Sequence, residues 1–209
     1  MPLSAPFTFG AAMDACYDIA MSYHHLALAT RDMAAIHAFY EGVMGFDLVK
    51  VEVAPVMQGG WAKHFFYRMD GNDSSFVAFW ELHDVPGCDT FETDLSKAAG
   101  VPDYINHIAF SVQSPEALDD RRQRWIDAGH DVIEVDHNWC RSIYTRDPNH
   151  NIVEFCLTTD SFSPDDRATA LAALTTTNAD FSPPPARVKQ HKAAATASPV
   201  TSLDHPSTD

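Results

Sequence analysis

Apolar positions follow two periods along this chain. Ile36, Phe39, Tyr40, Val43 and Met44 recur at i, i+3, i+4, i+7 and i+8, which draws one stripe on a helix. Asp32 stands where an N-cap is needed, because its side chain can accept from a free N–H of the first turn. A second helix is signalled by Ser114 as cap, Pro115 at the first helical position and Glu116 in the first turn, with Leu118, Trp125 and Ile126 on its buried side. The other apolar segments are short and rich in Val, Ile and aromatic residues. They read as strands, near 61–69, 75–83, 141–146 and 151–158.

These elements repeat. "HHLALATRDMAAIHAFYEGVMGFDLVKVEV", from His24, parallels "NHIAFSVQSPEALDDRRQRWIDAGHDVIEVDH", from Asn106. Each opens with a strand bearing His and, two residues on, Ala: His25 with Ala27, His107 with Ala109. Each passes through a helix to Gly-x-Asp, at Gly45 and Gly129, and then a strand. Two strands follow in each half. The unit is β-α-β-β-β, used twice, and the fold class is α+β. The implied division is an extension at 1–22, modules at 23–85 and 105–160 joined by a linker at 86–104, a C-terminal extension at 161–181 that could hold a short helix, and a tail at 182–209. The tail has no aromatic residue and five prolines, so disorder is expected there.

Polar residues interrupt the apolar strands at matched places. "FVAFWEL" (76–82) carries Glu81 and "NIVEFCL" (151–157) carries Glu154. Strand side chains alternate between faces. A sheet that curls around a cavity would then direct His25, Glu81, His107 and Glu154 inward. A carboxylate in such a place is costly unless paired, and imidazoles with carboxylates are a common donor set for a divalent metal. One spacing differs: 36 residues separate Gly45 from Glu81, against 25 between Gly129 and Glu154. Trp61, Phe66, Tyr67, Phe79 and Trp139 read as core. His83, His130 and His150 read as surface, and Arg141 and Arg146 as a solvated edge.

Composition narrows the class. The chain has 209 residues, 45% hydrophobic, with a formal charge of −15. That charge disfavours a surface that tracks nucleic-acid phosphates. No apolar run is long enough to span a membrane. The N-terminus lacks the basic and apolar regions of a signal peptide, and the four cysteines show no Cys-x-x-Cys spacing. A cytoplasmic protein acting on a small molecule is the expectation.

"HHLALATRD" with "FYEGVMGF", "NHIAFSV" and "IYTRDPNHNIVEF" resembles the vicinal oxygen chelate superfamily, which includes glyoxalase I, extradiol ring-cleaving dioxygenases and fosfomycin-resistance enzymes. The resemblance covers about 23–158. It implies two tandem β-α-β-β-β modules forming a curved mixed sheet around one divalent metal held by His25, His107 and Glu154. The modules of this superfamily pair within a chain or between chains, so a homodimer is compatible.

Two chemistries follow from the resemblance. "HNWCRSIYTRDPNHNIVEF" resembles the ring-cleaving dioxygenase signature at His137, Ile143-Tyr144, Asp147-Pro148 and Glu154, and departs from it at His150. In this reading Fe(II) on two histidines and a carboxylate binds a small catecholic or related aromatic compound and dioxygen. His137 would hydrogen-bond the substrate, Tyr144 would orient it and His64 would carry a proton, since Ser74 and Ser75 occupy the region where those enzymes place an acid–base histidine. Mn(II), Ni(II), Zn(II) and Co(II) suit the same donors. The alternative is a glyoxalase-I-like isomerase, epimerase or lyase working through an enediolate, with Glu81 as fourth ligand. A third reading is a resistance protein that binds a small molecule without catalysis.

Overall fold

The computed structural model describes residues 23–69, 71, 73–179 and 181–193. The extension at 1–22 and the end of the tail at 194–209 lie outside them. The described chain forms two mixed sheets with a helical layer between. The first module runs β1 (His25–Thr30), α1 (Met33–His37), β2 (Asp47–Pro55), β3 (Trp61–Arg68) and β4 (Phe76–His83). The linker carries α2 (Leu95–Ala99). The second module runs β5 (His107–Ser111), α3 (Pro115–Asp127), β6 (Val132–Asp136), β7 (Cys140–Arg146) and β8 (Ile152–Thr158). An exposed helix α4 (Pro164–Ala173) and a strand β9 (Arg187–His191) follow.

The sheets have the orders β1-β4-β3-β2 and β5-β8-β7-β6-β9. In each, the first strand lies parallel to the last strand of its module, and the other pairs are antiparallel. The helix starts are set by the capping side chains: Asp32 accepts from Ala35 N–H and Ser114 from Ala117 N–H. α1 continues as a π-helical stretch, Ala38–Val43, in which Met44 N–H reaches Phe39 C=O. This wider turn seats Phe39 and Tyr40 together in the core. Gly45 ends it at φ +76°, and a Cβ there would stand 2.8 Å from the Arg124 guanidinium. Glycine therefore serves both the left-handed turn and the close approach of the two modules.

One core joins the modules, with Ile36, Tyr40, Val77 and Phe79 from the first and Leu118, Trp125, Val153 and Phe155 from the second. The helix-side faces of both sheets look into it. Polar contacts seal the same seam. Arg124 donates to Gly42 C=O, Arg121 to Met44 C=O, and Tyr40 Oη to Asp147.

The Asp147–Asn151 turn is the centre of this seam. Asn149 donates to Ala29 C=O and accepts from Thr30 Oγ, so it fastens the end of β1. Asn151 accepts from Leu95 N–H and donates to Thr93 C=O, so it fastens the linker. Besides starting the strand of Glu154, the turn locks three segments together.

The expectation of a structureless tail needs correction. Residues 187–191 pair with β6 along its free edge. Glu134, buried on β6, accepts from His191, Arg122 and Arg141, with Arg187 within 3.9 Å. Burial opposes ionisation of Glu134, but these donors outweigh it and hold its pKa below the usual carboxylate value. The tail therefore docks by a backbone ladder and a shared carboxylate, both available without a large apolar face.

Candidate metal and substrate site

Paired residues on neighbouring strands point to the same side of a sheet, so the registers decide which side chains meet. In the second module His107 pairs with Ile152, Ala109 with Glu154, and Tyr144 with Glu154. His107, Tyr144 and Glu154 thus share the face turned away from the helices. His107 Nε2 stands 3.3 Å from Glu154 Oε2. Glu154 is only 4% exposed.

The tautomer of His107 follows from its other nitrogen. Nδ1 lies 3.1 Å from Ile105 C=O, which can only accept, so Nδ1 carries the proton. The other nitrogen, Nε2, is the one that faces the carboxylate. Either a proton on Nε2 or a metal ion can hold such a pair together, and a backbone-anchored imidazole beside a carboxylate is how metal-binding pairs are held. The donor set therefore fits a divalent metal.

Tyr144 extends the site. Its hydroxyl lies 2.9 Å from His137 Nε2. Burial first, and then the neighbouring Glu154 charge, raise the phenol pKa, so it stays protonated. Cys140 and Cys156 lie farther along the same face; burial pushes the Cys140 thiol up to about 11, which keeps it unreactive.

In the first module His25 pairs with Phe76 and His64 with Trp80. His25, His64, Phe66, Phe76 and Trp80 share one face. His64 stacks on Trp80 at 3.8 Å between ring centres, and its centre lies 5.9 Å from that of His25. His64 is 6% exposed and its Nε2 has no partner among the described residues. Burial, then nearby His25, lower its pKa. A cavity of about 500 Å³ opens on this face, lined by His25, Phe66, Phe76, Lys50 and Glu52 among others.

Glu81 is not on that face. The position equivalent to Glu154 is Ala78, because Ala27 pairs with Ala78 as Ala109 pairs with Glu154. Glu81 lies three residues further on, and an odd offset reverses the side chain. It accepts from Lys63 at 2.7 Å and lies 3.1 Å from His83, which stacks on Trp61. Burial raises its pKa, but Lys63 and His83 outweigh it and hold the group below the ordinary value. The expectation that Glu81 faces the cavity is corrected: the extra length of the first module lies before β4, and the two glutamates are not counterparts.

Nor does one chain gather the whole donor set. Among the described residues no three His, Cys, Asp or Glu side chains stand close enough to hold a metal together. β1 and β5, which carry His25 and His107, are outer edges of their sheets. They flank a cleft of about 570 Å³ lined by Leu26, Phe76, Val77, Ile108 and Phe110.

The remaining aromatic candidates divide. Tyr67 and Phe79 are core, Phe66 belongs to the His25 face, Trp61 is partly exposed against His83, and Trp139 packs on Phe162. His130 is half-buried against Phe39 rather than on the surface. Trp80 was the residue that sequence pattern alone gave no reason to single out. Its stacking on His64 depends on register.

A family model for the Glyoxalase/Bleomycin resistance protein/Dioxygenase superfamily matches residues 22–155. The chain belongs to this superfamily. No curated protein matches it. Several solved structures resemble this chain. The antibiotic-binding protein TnmS3 from Streptomyces sp. CB03234 is 14% identical, with 68% of this chain and 99% of that one covered at a TM-score of 0.46. A glyoxylase/bleomycin resistance protein/dioxygenase domain from Frankia sp. EAN1pec is 19% identical, covering 66% and 98% at 0.49. The fosfomycin resistance protein FosX from Listeria monocytogenes, solved with Mn(II) and sulfate, is 19% identical, covering 72% and 98% at 0.44. No helix among the described residues is long and apolar enough to cross a membrane.

Proposed function

We propose that this chain is a metal-dependent enzyme with a three-residue donor set, His107 and Glu154 from one copy and His25 from a second, and that it acts as an Fe(II) extradiol-type dioxygenase on a small catecholic compound. The observation that carries this reading is the His107–Glu154 pair, with Nε2 of a backbone-anchored imidazole 3.3 Å from a buried carboxylate, while Glu81 is engaged elsewhere. Without Glu81 the set has three donors rather than four, which favours the dioxygenase over the glyoxalase-type lyase. Mn(II), Ni(II), Zn(II) or Co(II) would fit the same donors. When bound, the iron supplies adjacent positions at which a catecholate and dioxygen can meet.

A second copy follows from symmetry. Each chain offers one His25 face and one His107/Glu154 face, so two copies related by a twofold axis complete two sites. The unpaired edges β1 and β5 and the apolar cleft between them need cover, and a second copy provides it.

The chain's own residues then have distinct tasks. Tyr144 donates a hydrogen bond to a substrate oxygen, and His137 behind it fixes the hydroxyl and exchanges its proton. His64, buried and unpaired at Nε2 on the His25 face, takes the proton that a catechol releases on binding. Phe66, Phe76 and Trp80 hold the ring and exclude water.

The test is an electron paramagnetic resonance spectrum of the anaerobic Fe(II) protein with 4-nitrocatechol and nitric oxide, the latter standing in for dioxygen. A high-spin iron–nitrosyl signal altered by the catechol is expected. If catechol binding excludes nitric oxide, the site has a fourth protein donor, and the lyase reading replaces this one.

A further inference from the structure

Resting on the site proposed above, we infer that its substrate is electrically neutral apart from the oxygens that meet the metal: a flat aromatic with no carboxylate, phosphate or phosphonate. The argument is a census of cations. The chain has 14 lysines and arginines, and all of them fall among the described residues. Each can therefore be placed.

Most are turned away from the site. Arg121 and Arg124 bind backbone carbonyls of the first module across the helix seam. Arg122, Arg141 and Arg187 surround Glu134 on the helix side of the second sheet, and Lys189 pairs in register with Glu134 on that same side. Lys63, Lys97 and Lys192 are held by Glu81, Glu92 and Asp131. Arg167 projects from an entirely exposed helix. Arg31 follows the far end of β1, on the order of 20 Å along the strand direction from His25.

Three cations remain on the site faces, with Lys192 at the rim of the second through Asp131, and each has an acid. Lys50 pairs with Glu52 at 3.2 Å. Arg68 is shared by Asp47 at 2.8 Å and Asp73 at 3.1 Å. Arg146 is held by Asp103 and by His150 C=O. With Glu154, the carboxylates around the two faces outnumber these cations. A divalent metal offsets that excess of two, and a bound catecholate makes the site negative again. An additional anion would add repulsion and lose its hydration against Phe66, Phe76 and Trp80 on one face and Ile133 and Ile152 on the other. Exposed ion pairs are weak, so an anion could recruit Lys50 or Arg146; Arg146, which lines the same cavity as Tyr144, is the one tested.

The experiment compares 3,4-dihydroxybenzoate with its methyl ester, which keeps the ring but removes the charge; because the ester withdraws electrons more strongly and acidifies the catechol, each affinity is corrected for that compound's own catechol pKa. Binding to the Zn(II)-loaded full chain is followed by tryptophan fluorescence, in the wild type and in Arg146→Gln. At least tenfold tighter binding of the ester, unchanged in Arg146→Gln, is expected. Equal or tighter binding of the acid overturns the inference, and loss of that binding in Arg146→Gln would identify the anion's partner. Binding of neither compound overturns it too. Turnover of the ester by the Fe(II) protein is read separately: ester-selective binding without ring cleavage would sink the reaction proposed above and leave the charge selectivity standing.

Discussion

Asp147→Asn should change how stability responds to pH. Asp147 is 3% exposed at the seam between the modules. It accepts from Tyr40 Oη at 3.1 Å and from Asn151 N–H at 2.9 Å. Burial pushes its pKa from 3.8 to about 6, because the hydrogen bonds that favour the carboxylate only partly offset desolvation. A folded-state pKa above the unfolded one means that stability is fully present below the unfolded value and is lost as pH rises through the folded value. The gap of about two units corresponds to about 3 kcal/mol at 1.36 kcal/mol per unit. Asparagine retains the shape. Its Oδ1 can accept from Asn151 N–H, and the Tyr40 oxygen can accept from its amide, so the variant should fold. The assay is urea unfolding of chelator-treated protein between about pH 4 and pH 8, with wild type and variant side by side so that other titrations cancel. Relative to wild type, the variant should gain about 2.5 kcal/mol across that range, most of it between pH 4 and pH 6.5. A constant difference, or one that moves against the variant as pH rises, would refute the reasoning and mean that the fold stabilises ionised Asp147.

Three further outcomes are expected. Glu81→Gln should leave bound metal unchanged by atomic absorption and cost about 1 kcal/mol at neutral pH, an effect that fades as acid protonates the carboxylate; lost metal would return Glu81 to the donor set. His25→Ala and Glu154→Ala should each be inactive alone, yet mixed copies should regain about a quarter of the sites, because half the dimers are mixed and each holds one intact set; no recovery would place all three donors within one chain. Truncation after Ala186 should lower stability by about 2 kcal/mol, since Glu134 loses His191 and Arg187 and β6 loses its ladder partner; an unchanged melting temperature would show that β9 is not docked in solution.

The elements were legible because each carries a local signal. Asp32 and Ser114 cap helices wherever the tertiary structure places them, since the capping bond is made within three residues. Alternation along β4 and β8 stated which residues share a face, and the repeat of His-x-Ala identified the paired strands. β9 was missed because its composition promises no apolar burial, whereas its docking uses backbone hydrogen bonds and Glu134, which lies more than 50 residues away in sequence.

Glu81 marks the boundary between what the chain states and what the fold decides. Sequence alone determined the two modules through short-range periodicity, and the resemblance of its motifs to the superfamily implied that His107 and Glu154 belong to one site. Only the tertiary structure decided that Ala78 rather than Glu81 is the counterpart of Glu154, that Trp80 backs His64, and that His25 stands apart from the pair in a single chain. The physical reason is register. A strand's alternation says which side chains go together, but hydrogen bonding to the neighbouring strand fixes the offset, and a shift of one residue exchanges the two faces.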